Sequence, residues 1–205
     1  MNEWIEWVKQ IKAITQIGIS YTKDEYDSER YEQLSRIAHQ MIAKLADAPL
    51  NKVDNFFIPD KGYATPKVDL RDGIIRENKI LLARERSDGK WTLPGGWADT
   101  CESASEGIIR EVFEETGYEI EIDRLIAIRD RSLHPYKPQY PDHIYKMFFL
   151  CDLVGGESKT NLEISEIDFF TRDELPPLSE GRVLSQDIDI VFDYYKNGNN
   201  IPLCD

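Results

Sequence analysis

Residues 111–115 place three glutamates within five positions, inside a segment whose two ends both read as helix ends. Ser103-Ala-Ser-Glu106 fits a capping box, in which serine and glutamate side chains each take a backbone N–H of the other's residue. Gly117 stands where a left-handed residue would close the same helix. Between these marks Ile108, Ile109, Val112 and Phe113 supply an apolar stripe to bury. Glu111 lies three residues before Glu114 and four before Glu115, so the spacing predicts neighbouring carboxylates on one helix surface. Like charges crowded in this way destabilise a helix unless a cation joins them. Arg110 brings one positive charge against three negative ones. A run of glutamates alone also describes an ordinary solvated face.

The residues in front of the helix decide between these readings. Gly95-Gly96 precede it, Glu102 stands six residues after Gly96, and Arg110-Glu111-Val112-x-Glu114-Glu115-x-Gly117 follows. Seven specified residue types at fixed spacing would recur by chance about once in 10⁸ windows at typical residue usage. The segment resembles the box of the Nudix hydrolases, with Tyr118 where that pattern usually has an aliphatic residue. The resemblance implies an α/β fold, an α/β/α sandwich around a mixed sheet, with the box as a loop–helix–loop. It implies that Glu111, Glu114 and Glu115 hold Mg²⁺, with Mn²⁺ able to substitute, and that Arg110 orients a box glutamate by ion pairing. Gly96 then resembles the turn glycine that admits backbone and substrate to the site, and Glu102 and Gly117 the structural positions of the motif. Magnesium suits such a set, because it takes hard oxygen ligands and keeps positions for water and phosphate. Two further carboxylates, Glu163 and Glu166, lie before a strand where such proteins often place an extra acid. Either is a candidate general base, with Glu166 the first choice.

Arg129–His143 is rich in proline and aromatics. It reads as a rigid surface loop, or as a specificity loop in which Arg129, Arg131, Tyr136 or Tyr140 meets phosphate or base. His134 and His143 have no partner spacing that makes a metal or nucleophile site. Trp97, Tyr136 and Tyr140 are candidates to face a quaternary ammonium through cation–π contact.

Around the box the chain divides. Residues 1 to about 47 read as a helical hairpin, with Trp4, Val8, Ile11, Ile14 and Ile17 on one stripe, an interruption at Gly18 and Ser20, and a second stripe from Tyr31 to Leu45. Prolines 49, 59 and 66 mark a linker, giving a helical domain over residues 1–65 and a catalytic domain over residues 66–205. Short strands are expected around turns at Arg71-Asp72-Gly73 and Glu77-Asn78, then near 91–93, 119–130, 143–154 and 167–170, with a last helix from about Ser179 to Lys196. Residues 1–65 carry 8 Lys/Arg against 10 Asp/Glu, so most of the net −13 lies in the catalytic domain.

That charge disfavours nucleic-acid scaffolding and anionic membranes, which reward clustered Lys/Arg. It is compatible with a phosphate compound when a divalent cation stands between. Cys101, Cys151 and Cys204 are few and widely spaced, which suits free thiols in a reducing cytoplasm. No apolar run approaches a bilayer span, and the acidic N-terminus is unlike a signal peptide. Over nearly its whole length the pattern is similar to bacterial Nudix hydrolases of X-linked nucleoside diphosphates. This implies hydrolysis of CDP-choline to CMP and phosphocholine, with ADP-ribose the alternative substrate and RNA a secondary one. A nucleotide sensor without catalysis is the reading from a different class. The amphipathic hairpin, too short to hold a core alone, predicts a homodimer.

Overall fold

Lys67–Arg76 form one unbroken ten-residue strand, β1, although Arg71-Asp72-Gly73 reads locally as a turn. The two charged residues are accommodated because alternate side chains leave opposite faces of a strand. Arg71 pairs with Asp69 on one face, while Asp72 lies fully buried on the other. The real turn is Glu77–Asn78, with φ of 52° and 59°. Two successive left-handed residues match the twist of a tight hairpin, and they lead directly into β2 (Lys79–Glu85).

The computed structural model describes residues 3–45, 63–139, 142–198 and 201–205. It comprises two units, Met1–Pro66 with Tyr140–His143, and Lys67–Gln139 with Ile144–Asp205. The proline-rich stretch expected as a linker falls largely outside the described residues.

In the second unit β1 runs parallel to β5 (Ile144–Gly156), with Lys67 through Ile74 opposite Ile144 through Cys151. β5 is antiparallel to β4 (Tyr118–Asp130), and β7 (Leu203–Cys204) joins β4 in parallel. β2 carries β3 (Trp91–Thr92) and β6 (Ile164–Thr171), both antiparallel. The order is β3-β2-β1-β5-β4-β7, with β6 on β2, so the sheet is mixed as the resemblance implies.

Helix α3 (Ala104–Thr116) covers one side, burying Ile108 and Val112 against Leu70, Ile74, Leu81, Phe149 and Cys151. Helix α4 (Ser185–Asn197) covers the other, burying Ile188, Val191 and Phe192 against Leu82, Leu93, Phe148 and Leu150. Each such aliphatic or aromatic side chain contributes roughly 1.5–3 kcal/mol relative to exposure. α4 starts six residues later than the sequence pattern suggests. Ser179–Val183 form a turn in which Arg182 and Val183 both donate to the Ser179 carbonyl, and Asp187 accepts the Leu184 N–H at 2.7 Å to open the helix.

In the first unit α1 (Glu3–Tyr21) continues through Gly18 and Ser20, where a break was expected. The Tyr31 ring of α2 (Glu25–Leu45) lies against Gly18, 2.6 Å from where a Cβ would stand, and Ser20 Oγ donates to the Gln16 carbonyl at 2.8 Å. Glycine there permits close helix packing rather than ending the helix. Val8, Thr15 and Ala38 are buried, while Trp4, Trp7, Ile14, Leu34 and Ile37 remain exposed. No helix among the described residues is long and apolar enough to cross a membrane.

Candidate active site

Both ends of α3 are built from the residues that mark them in the sequence. Glu106 N–H donates to Ser103 Oγ at 3.2 Å and Ser103 N–H to Glu106 Oε2 at 2.8 Å. Gly117, at φ 73°, donates to the Phe113 carbonyl at 2.8 Å. The helix therefore presents Glu111, Glu114 and Glu115 from a fixed frame.

Glu115 turns inward. It is 7% exposed, and its Oε2 accepts the Gly95 N–H at 2.9 Å. Burial raises its pKa to about 7, against the opposing pull of the Arg71 guanidinium. Glu111 is likewise raised by burial, with Arg110 opposing. Gly95, at φ 130°, adopts backbone that a side chain would strain, and a Cβ would also collide with the Leu70 carbonyl. At Gly96 a Cβ would stand 2.7 Å from Glu111 Oε2. The glycine pair thus allows strand backbone and carboxylates to approach one another.

Arg110 grips Glu102 with two bonds, Nε to Oε2 at 3.0 Å and Nη2 to Oε1 at 2.9 Å. Its Nη1 reaches Glu111 Oε1 at 2.8 Å and Glu114 Oε2 at 3.2 Å. The Arg110 bonds and the Asp99 N–H pull Glu102 down to about 2. One guanidinium accordingly spans three box carboxylates, in the fork geometry that suits it.

Two carboxylates held near Gly95–Gly96 at raised pKa are an excess of negative charge that a divalent cation would relieve. All the donors are hard oxygens. Among the described residues no three acidic, histidine or cysteine side chains close around a common point. Arg110 draws Glu114 and one Glu111 oxygen to itself, so the set is open. Openness fits an ion that retains water and substrate oxygens among its ligands.

The other expected residues scatter. Glu166 sits on β6 in an ion pair with Arg84 at 2.6 Å, while Glu163 is exposed in the turn before that strand. Arg129, Arg131 and Tyr136 are buried, contrary to a surface loop. Arg129 pairs with Asp187, Tyr136 Oη donates to Asp187 Oδ2 at 2.7 Å, and Arg131 donates to the Pro138 carbonyl at 2.6 Å. Their hydrogen-bonding groups are turned to the protein, because a buried charge needs partners. Tyr140 lies outside the described residues. His134 contacts Arg129 and Asp205. Trp97 is exposed, with Lys67 Nζ 5.7 Å from its ring centre.

Several polar residues near the box escaped sequence reasoning. Arg71 donates to Asp69 Oδ1 at 2.9 Å and to the Leu93 carbonyl at 3.0 Å, and fully buried Lys146 also pairs with Asp69. Burial would raise Asp69, yet Arg71 and Lys146 hold it below the usual carboxylate range. Lys146 is itself lowered by burial to about 8. Glu85, also buried, takes an ion pair from Arg182 at 2.9 Å. Asp72 has no well-formed hydrogen bond; its polar neighbour is the Cys151 thiol, and burial raises it to about 8. The available signal was the alternation of Asp69, Arg71 and Gly73 at interior positions of β1.

Residues 71–188 match the NUDIX domain family, and residues 2–57 match a family described as a UDP-X-like, N-terminal oligomerisation domain. Over its whole length the chain is 37% identical to a Bacillus subtilis protein provisionally named an ADP-ribose pyrophosphatase, of which 98% is covered. The crystal structure of a UDP-X diphosphatase is 32% identical, at a TM-score of 0.65 over 99% of this chain and 98% of that one. An ADP-ribose pyrophosphatase from Streptococcus suis is 37% identical, at a TM-score of 0.63, over 69% of this chain and all of that one.

Proposed function

The chain belongs to the Nudix hydrolase family and is a pyrophosphatase of that family; from this premise we propose that it splits the diphosphate of ADP-ribose in preference to CDP-choline, using Mg²⁺ with Mn²⁺ as a substitute. The observation that carries the reaction is the pairing of Glu111 and Glu115 around Gly95–Gly96, at raised pKa and with open positions. Bound there, a divalent cation would neutralise charge on the diphosphate and make water a better nucleophile. Glu111, Glu114 and Glu115 would hold it, and Arg110 would keep Glu111 and Glu114 from swinging away. The Gly95–Gly96 backbone would leave room for phosphate oxygens beside them.

The order of substrates departs from the sequence reading, which placed CDP-choline first. A trimethylammonium group needs an unoccupied aromatic face. Of the aromatics considered for it, Tyr136 is buried, Trp97 carries the Lys67 ammonium, and Tyr140 is outside the described residues. The name ADP-ribose pyrophosphatase, carried by two of the similar proteins, also supports a sugar-linked substrate.

Purified protein with Mg²⁺ is to be given ADP-ribose, CDP-choline and a UDP-sugar at equal concentration. Fastest release of AMP and ribose 5-phosphate is expected from ADP-ribose. Faster turnover of CDP-choline would restore the original order, and absence of metal-dependent products would favour a nucleotide sensor. We also propose a homodimer through the exposed apolar side chains of α1 and α2, supported by the oligomerisation family matched there. Light scattering is expected to return twice the 23.8 kDa chain mass.

A further inference from the structure

Trp97 follows the glycine pair directly and remains 47% exposed. Its backbone is nonetheless fixed against β1. Leu70 N–H donates to the Gly96 carbonyl at 2.8 Å, and Ala98 N–H donates to the Val68 carbonyl at 3.0 Å. These two bonds flank an antiparallel bridge between Trp97 and Asp69. Residues opposed in this way, with no bonds between themselves, bring their side chains closest together and on one face. The indole therefore shares the face of β1 that carries Lys67, Asp69 and Arg71, since alternate residues point alike. Lys67 Nζ stands over the ring, 5.7 Å from its centre, in keeping with that placement.

The neighbouring position points the other way. A Cβ at Gly96 would stand 2.7 Å from Glu111 Oε2, and consecutive Cα atoms are about 3.8 Å apart. The indole is thus one residue removed from the backbone against which the box glutamates lie, on its opposite side. The Arg71 guanidinium, on the indole's face, is one of the charges that act on Glu115, so the two sides are electrostatically continuous. Leaving half of an indole in water forgoes its hydrophobic burial, and the clamped backbone cannot withdraw it. A flat ligand surface would restore that burial.

We propose that Trp97 is the stacking platform for the nucleobase of the substrate, and so a specificity-determining residue. This rests on the pyrophosphatase reading above. With the diphosphate held at Glu111 and Glu115, the ribose between phosphate and base gives the base the reach to pass the glycine pair. A base offers a neutral planar face, which stacks on an aromatic ring whatever its hydrogen-bonding edge. The Lys67 ammonium repels a second cation at the indole but not a neutral ring. The platform accordingly favours purines, whose two fused rings overlap an indole more fully than one ring does.

The test uses the full chain with Mg²⁺, ADP-ribose, and the same diphosphate diester with a second ribose in place of adenosine. Trp97→Ala is expected to raise KM for ADP-ribose about 10-fold or more, as loss of one stacked base does. Its kcat should stay within about threefold, since stacking holds substrate and transition state alike. For the base-free diester, KM (or its inhibition constant against ADP-ribose) should change less than about twofold. Trp97→Phe keeps a ring and should recover most of the ADP-ribose KM. AMP with Mg²⁺ should quench tryptophan fluorescence in the wild type, and this quenching should be missing in Trp97→Phe. The proposal is overturned by an unchanged ADP-ribose KM in Trp97→Ala, by an equal loss for the base-free diester, or by AMP quenching that persists in Trp97→Phe. A wild-type chain that releases no product from ADP-ribose overturns the pyrophosphatase reading instead, while AMP quenching still reports the platform.

Discussion

The Gly95 N–H donates to Glu115 Oε2 at 2.9 Å, so the innermost box carboxylate is tied to backbone while burial drives its pKa to about 7. Cation binding requires the ionised form. Below pH 7 the metal must displace a proton, and Mg²⁺ affinity should fall about tenfold per pH unit for that one group. Above pH 7 the affinity should level off. Titration calorimetry in buffers of different ionisation enthalpy checks this through the proton released on binding. Affinity independent of pH between 5.5 and 8 would remove Glu115 from the ligand set.

Gly96→Ala places a methyl group 2.7 Å from Glu111 Oε2. The carboxylate must move, while the strand backbone can stay. Turnover should drop by about 100-fold, in line with a misplaced ligand about 1 Å from its productive position. Melting temperature should fall by only a few degrees. A variant with normal turnover would mean that Glu111 does not act from this position.

Tyr136→Phe removes the donor to Asp187 Oδ2 and leaves a buried carboxylate short of a partner. A loss of about 1–3 kcal/mol in unfolding free energy is expected. Substrate KM should change less than threefold, since the phenol is buried against the protein. A large rise in KM with unchanged stability would return Tyr136 to the substrate side.

Asp72 carries the opposite lesson in pH. Its folded pKa is raised from 3.8 to about 8 by burial, so the native chain holds a proton that the unfolded chain has released. Between those limits the wild type loses stability as pH rises, and the loss is complete only above pH 8. Asp72→Asn has no proton to lose. Its stability relative to wild type should climb by roughly 2–5 kcal/mol from pH 4 to pH 9. Parallel melting curves across that range would show that Asp72 does not titrate as proposed.

What could be read directly from the sequence was local chemistry. Ser103, Glu106 and Gly117 act within a few residues of one another, so their caps and the glutamate spacing between them are visible in one dimension. Arg71-Asp72-Gly73 misled because a charged residue followed by the turn-favouring pair Asp-Gly looks alike in a loop and in a strand crowded with partners. The partner that resolves it, Lys146, approaches Asp69 from 77 residues away. Arg129 and Tyr136 misled for the same reason, since Asp187, which buries them, belongs to a helix more than 50 residues on. Likewise Glu163 and Glu166 are three letters apart, but only the structure separates them by their neighbours, Asn161 and Arg84.

β1 can be regarded as a reading frame. Its pairing with β5 runs without a break from Lys67–Ile144 to Ile74–Cys151, and its residues address two interiors by parity. Leu70 and Ile74 serve the α3 side, whereas on the other Asp69 takes both Arg71 and Lys146 as partners. A one-residue insertion or deletion here would exchange the two sets at once, sending charges into the hydrocarbon layer and leucine among the ions. Substitutions along this strand should therefore be graded in effect, whereas a change of length by one should be all-or-none. Tolerated length variation belongs instead outside the segment framed by Lys67 and the Glu77–Asn78 turn.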